Sequence, residues 1–112
     1  MLESLNLTGN EILALTELTK AIRRPWPLAR IKLFGSKATG GFDAESDVDV
    51  LVLLPCPAGE AIRKQIVHKV LEINLAYESN ISVLILSEEE WDSSSFSFLP
   101  IHAFIEKEGV AL

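Results

Sequence analysis

The segment Asp47-Val48-Asp49-Val50-Leu51-Val52-Leu53-Leu54 is the most restrictive stretch of this chain. Its beta-branched and apolar residues read as a strand over residues 47–54, and Pro55 ends it. The strand is polar where it starts and apolar on both alternating faces afterwards. Such a strand has to lie in the middle of a sheet that is covered on both sides. The rest of the chain therefore has to supply neighbouring strands and two covering layers.

The 112 residues suit one domain spanning 1–112, large enough to bury a core without staples. The flanking patterns supply the missing layers. Asn10 as N-cap, Glu11 in the first turn, and Leu15, Leu18 and Ile22 at helical spacing predict a first helix to about Arg24, where Pro25 and Pro27 stop it. Residues 29–34 read as a short strand ending at Gly35. Residues 36–46 are rich in Gly, Ser, Thr and Asp, which predicts a loop with at most a short helix. Residues 58–77 form the longest helical pattern, with Ile62, Ile66, Val70, Ile73 and Tyr77 as its core stripe. A second stripe, Val67, Leu71 and Leu75, has to pack under the C-terminal segment or against another chain.

Residues 81–86 read as a third strand. Ser87 followed by Glu90 is a capping box that opens a short helix carrying Trp91. Ser93-Ser94-Ser95 reads as a polar loop or helix start. A last helix over 99–108 carries Pro100 in its first turn and stops at Gly109. Helix, strand, loop, strand, helix, strand, helices is the order of an α/β or α+β fold with one small mixed sheet flanked by helices.

Charge narrows the function. Lys and Arg number 10 against 16 Asp and Glu, a formal net charge of −6. Broad binding to a nucleic-acid backbone or to an anionic membrane needs the opposite balance. No apolar run reaches the roughly 18 residues of a membrane span, and no signal-peptide pattern opens the chain, so a soluble cytoplasmic protein is expected. The single cysteine, Cys56, lies between Pro55 and Pro57 and reads as a loop residue. His68 and His102 belong to no metal-like cluster. The run Glu88-Glu89-Glu90 reads as a helix start, where negative charge is favourable.

The chemistry concentrates between Gly35 and Asp49. Gly35 ends a strand and lets backbone approach a ligand closely. Ser36 offers a hydroxyl and an N–H at the start of a short helix, which suits a phosphate, and Lys37 adds positive charge. Ten residues later Asp47 and Asp49 lie two apart on a strand. Their side chains share one face, about 6–7 Å apart along the chain. Two carboxylates so placed can hold Mg²⁺, which keeps its other positions for water and phosphate. Gly-Ser at a strand end, ten residues, then Asp-x-Asp entering an apolar strand is far more specific than either half alone.

At these residues the chain resembles the minimal nucleotidyltransferases of the DNA-polymerase-β-like superfamily, which carry Gly-Ser, ten residues and Asp-x-Asp. The similarity extends through Ile81-Ser82-Val83-Leu84-Ile85-Leu86-Ser87 and the tail Ile105-Glu106-Lys107-Glu108-Gly109-Val110, so it covers most of the chain from Arg30 onward. The resemblance implies the nucleotidyltransferase fold, with Gly35, Ser36, Lys37 and Ser46 as nucleotide-binding residues and Asp47 and Asp49 as the catalytic pair holding one or two Mg²⁺ ions. It also implies ATP as substrate, transfer of AMP to an acceptor, and a role as the antitoxin paired with a small helical HEPN-type toxin. A homo- or hetero-oligomer fits that reading. With 112 residues read as one domain, the additional domains of a polymerase or of an aminoglycoside-modifying enzyme are not expected.

One family feature is missing. Active members usually carry a third carboxylate on the third strand, and the best-matching positions here are Asn80 and then Ser82. Glu78 keeps the same parity but sits more simply at a helix end. An Asn oxygen can ligate a metal, yet it brings no charge and is a poor general base. Two functions follow as rivals: a Mg²⁺-dependent nucleotidyltransferase acting on a partner protein, and a binding module that neutralises its partner without turnover.

Overall fold

A computed structural model describes residues 7–39 and 47–112. The elements are α1 (Gly9–Arg23), β1 (Arg30–Phe34), α2 (Ser36–Thr39), β2 (Val48–Leu54), α3 (Glu60–Tyr77), β3 (Ile81–Ser87), α4 (Glu88–Asp92), α5 (Ser94–Ser97), α6 (Pro100–Glu108) and β4 (Val110–Ala111). The four strands form one mixed sheet in the order β3-β2-β1-β4. Strand β1 runs antiparallel to β2 and β4, and β2 runs parallel to β3. This is the expected helix-flanked mixed sheet, with β2 in its middle.

Strand β2 is covered on both sides. Val48, Val50, Val52 and Leu54 enter the larger core with Ala14, Leu15, Leu18 and Ile22 of α1 and Ile66, Val70 and Ile73 of α3. Leu51 and Leu53 point the other way, into a smaller core with Leu86, Trp91 and Ile105. Burying each such leucine stabilises the fold by roughly 1.5–3 kcal/mol. Trp91 satisfies its indole N–H on Glu106 Oε1 at 2.8 Å, and that bond holds the Glu106 carboxyl below the usual range. The Ser87–Glu90 capping box forms as expected, and Ser93 then caps the extra turn α5.

Two expectations need correction. The N-cap of α1 is Thr8, not Asn10. Thr8 Oγ1 accepts from the Glu11 N–H at 3.2 Å and the Thr8 N–H donates to Glu11 Oε1 at 2.8 Å, a capping box that leaves Asn10 inside the helix. The Asn10 amide instead donates to the Tyr77 carbonyl at 3.0 Å and ties the start of α1 to the end of α3. The second correction removes one of the two alternatives for the stripe Val67, Leu71 and Leu75, packing under the C-terminal segment, and leaves packing against another chain. The C-terminal helices pack on the opposite face of the sheet, so that stripe is exposed. The tail adds β4, which pairs with Lys32 and Leu33 of β1, while Arg23 Nη2 donates to the Leu112 carbonyl at 2.8 Å.

Strand β3 is an edge, and α3 seals it. Asn74 works like an adjoining strand: its Oδ1 accepts from the Ile81 N–H at 2.9 Å and its Nδ2 donates to the Ile81 carbonyl at 3.1 Å. Arg63 Nη1 donates to the Ile85 carbonyl at 2.5 Å. These side chains occupy edge groups that would otherwise be open to another strand. Asn74→Ala leaves both Ile81 groups without their partner, so a loss of about 1–3 kcal/mol in unfolding free energy is expected from urea titration.

Candidate functional site

The site is built by register. Antiparallel pairing sets Phe34, the last residue of β1, opposite Asp49. Parallel pairing sets Asp49 level with Ser82, and the Val48 N–H bonded to the Asn80 carbonyl at 3.0 Å holds Asp47 beside Asn80. Asp49 shares its face with Leu51 and Leu53, the face covered further along by Trp91 and Ile105. Covering side chains therefore give way to carboxylates along a single strand. Asp47 is exposed at the mouth and Asp49 is partly buried behind it.

Gly35 faces Asp49. Its φ is 79°, in the left-handed region, and a Cβ built on it would lie 2.5 Å from Asp49 Oδ2. The backbone conformation calls for glycine here, and a Cβ would also push the Asp49 carboxylate aside. The chain then enters α2, whose Ala38 and Thr39 N–H groups donate to the Gly35 carbonyl at 3.1 and 3.2 Å. Ser36 is the first residue of that turn.

The remaining predicted residues are distributed differently. Asn80 and Ser82 adjoin the aspartates, and the Asn80 amide donates to Asp47 Oδ1. Glu78 is the left-handed residue that closes α3, with φ 52°, as its helix-end reading implies. Lys37 is 1% exposed, and its ammonium lies 3.2 Å from Glu11 Oε1. Its charge is thus engaged inside the protein, where it fastens α2 to the start of α1. Glu11 was not among the sequence candidates. It caps α1 and anchors Lys37 with the same carboxylate, and the Thr8-x-x-Glu11 spacing is the signal that would have found it. Ser46 lies outside the described residues.

Electrostatics marks Asp49. Burial, and then the negative charge of Asp47, raise its carboxyl above the ordinary value of 3.8. Asp47 is close enough to oppose the ionisation of Asp49, and both are hard oxygen donors. Among the described residues no group of three or more His, Cys, Asp or Glu side chains could hold a metal, so the acidic set here is these two. A cleft of about 570 Å³ between the end of α1 and α3, bordered by Trp26, Ile66 and Lys69, contains none of the predicted site residues.

Comparison with known proteins identifies the family. The family model for the nucleotidyltransferase domain matches residues 15–108. The chain belongs to the nucleotidyltransferase domain family. Its fold is shared with a chain from the crystal structure of a toxin-antitoxin with AMP-PNP, at 18% identity and a TM-score of 0.59, covering 93% of this chain and 72% of that one. A putative nucleotidyltransferase from Sulfolobus solfataricus is similar at 21% identity and a TM-score of 0.50, over 88% of this chain and 75% of that one. No curated protein matches the sequence. No helix among the described residues is long and apolar enough to cross a membrane.

Two outcomes follow for this nucleotidyltransferase domain. Gly35→Ala adds a left-handed Cβ and displaces the Asp49 carboxylate, so urea unfolding should show a loss of about 1–3 kcal/mol. Asp49→Asn should act in the opposite direction. A raised folded-state pKa means that Asp49 supports the fold fully below its unfolded pKa, and that this support is lost as pH rises through the folded value. In metal-free buffer at neutral pH the Asn variant should therefore unfold at higher urea than the parent. That difference should close as pH falls below about 4.

Proposed function

We propose that this domain binds ATP with Mg²⁺ at the Asp47–Asp49 edge and transfers AMP to a side chain of a partner protein, as the antitoxin of a pair with a small helical HEPN-type toxin. The observation that carries the reading is the Gly35–Asp49 contact. A glycine in a left-handed conformation lies against a partly buried carboxylate whose ionisation a second carboxylate opposes. A divalent cation offsets that repulsion and accepts phosphate oxygens. The toxin-antitoxin neighbour with AMP-PNP supports the nucleotide and the partner class.

The residues present fit such an ion. Asp47 and Asp49 supply hard anionic oxygens from one strand face. When bound, Mg²⁺ would neutralise charge on the α-phosphate and on the departing pyrophosphate. The turn at Gly35 and Ser36 gives phosphate oxygens a close approach to backbone. The acceptor oxygen forms a bond to the α-phosphorus as the bond to the bridging oxygen breaks, and pyrophosphate leaves. The acceptor proton goes to solvent, since neither Asn80 nor Ser82 is a carboxylate base.

The same two positions favour a second reading, in which the domain neutralises its partner by binding alone. Labelled ATP, Mg²⁺ and the protein encoded beside this one separate the two. Label on the partner, abolished by Asp47→Ala, is the expected result. Asn80→Asp places a carboxylate next to Asp47 and should speed transfer by roughly 10²-fold. Tight complex formation with no label in either variant would establish the binding module instead.

A further inference from the structure

The cleft between the end of α1 and α3 lies on the far side of the sheet from Asp49, since Ile22 and Ile66 at its floor belong to the larger core. Its volume of about 570 Å³ is that of a small-molecule site. One wall is preformed. Trp26 stands between Pro25 and Pro27, and backbone bonds fix it from both sides. Its N–H donates to the Ile22 carbonyl at 3.1 Å, and its carbonyl accepts from the Ala29 N–H at 3.0 Å. The half-buried indole therefore offers a fixed aromatic surface above an apolar floor.

The rim is one-sided in charge. Asp and Glu outnumber Lys and Arg by 16 to 10 in this chain, yet among the described residues no carboxylate borders the cleft. Arg24 does border it, and its exposed side chain has no ion pair or hydrogen bond among the described residues. Arg24 also borders a neighbouring groove with Lys20, an exposed ammonium that is equally unpaired among those residues. Lys69, on the α3 side, is shared with Glu72 at 3.5 Å, so Arg24 carries the preference for an anion. Two carbonyls at the end of α1 that would repel an anion are already satisfied. The Lys20 carbonyl accepts from the Arg24 N–H and the Ile22 carbonyl from the Trp26 N–H, each at 3.1 Å.

We propose that this cleft binds a small aromatic carboxylate, with its ring against Trp26 and Ile66 and its carboxylate on the Arg24 guanidinium. The planar fork of an arginine matches a carboxylate with two parallel N–H···O bonds. The ring covers apolar surface that the open cleft leaves in water. The Trp26 indole N–H, which donates to no group among the described residues, is a second donor beside the same floor. The cleft and the Asp47–Asp49 edge lie on opposite faces of the sheet, so one can fill without the other.

Nitrogen–proton correlation NMR on the labelled full chain, titrated with naphthoate at neutral pH, tests this. Saturable shifts are expected at residues 20–26 and 65–69 and at the Trp26 indole N–H, with Kd below about 2 mM and the Trp91 indole unmoved. Naphthamide, the neutral counterpart, should bind about tenfold more weakly. Arg24→Gln should bring naphthoate down to the affinity of naphthamide and leave naphthamide binding unchanged, a difference that a merely structural role for Arg24 would not produce. Asp47→Ala should leave naphthoate binding as in the parent, which separates this cleft from the proposed nucleotide site. Binding weaker than about 2 mM would overturn the proposal. So would equal affinity for the two compounds, an Arg24→Gln variant that binds naphthoate like the parent, or shifts that are largest at Leu71 and Leu75 or at Phe98 and Phe104.

Discussion

The pairing of β2 with both of its neighbours holds the rest of the structure in place. From β1 it receives Phe34 and Gly35 at its entrance, and from β3 it receives Asn80 and Ser82. A slip of one residue would turn every side chain of β2 to the opposite face. Asp49 would then enter the large core, and Val48 and Val50 would leave it. Burying an unpaired carboxylate among Leu15, Leu33 and Val70 is far too costly for that register to compete. The apolar residues that stabilise the sheet therefore also aim the two aspartates.

The site stores a conflict between stability and function. Asp49 is partly buried beside a like charge, and its carboxyl titrates above the ordinary range for both reasons. Gly35 sits in a left-handed conformation, and a side chain there would displace the Asp49 carboxylate. Neither feature helps the fold. Both are accounted for if a cation and a phosphate complete the site, since a cation reverses the sign of the local electrostatics. The surrounding structure compensates with rigid support: Glu11 and Lys37 fix α2, and Asn74 fixes the start of β3.

The third strand separates two questions that family membership alone merges. Under the proposed function two carboxylates would hold a metal–nucleotide, while proton removal from an acceptor would ask for a third group. Asn80 stands where such a group could act, and it donates a hydrogen bond to Asp47 instead of competing with it for charge. An amide there lowers repulsion at the mouth of the strand. It makes the fold easier to form and, under the proposed transfer, leaves the acceptor without a neighbouring base.

Local pattern in the chain was enough to show the sheet order's main constraint and the aspartate pair. The beta-branched apolar runs, proline stops and the Ser87–Glu90 box are all short-range signals, and each is set by backbone geometry within a few residues. The same short-range rule contained the Thr8–Glu11 box, although Asn10 looked the better cap, because a capping box is defined by two reciprocal bonds and not by one polar residue. The ionic role of Lys37 could not be read that way. Its partner Glu11 lies on another helix, and only packing brings an ammonium and a carboxylate from distant parts of the chain into one dry place. The short pairing of β4 and the exposure of Val67, Leu71 and Leu75 have the same origin. A residue's neighbours along the chain determine which way it points, but what it meets there depends on where the other elements have packed.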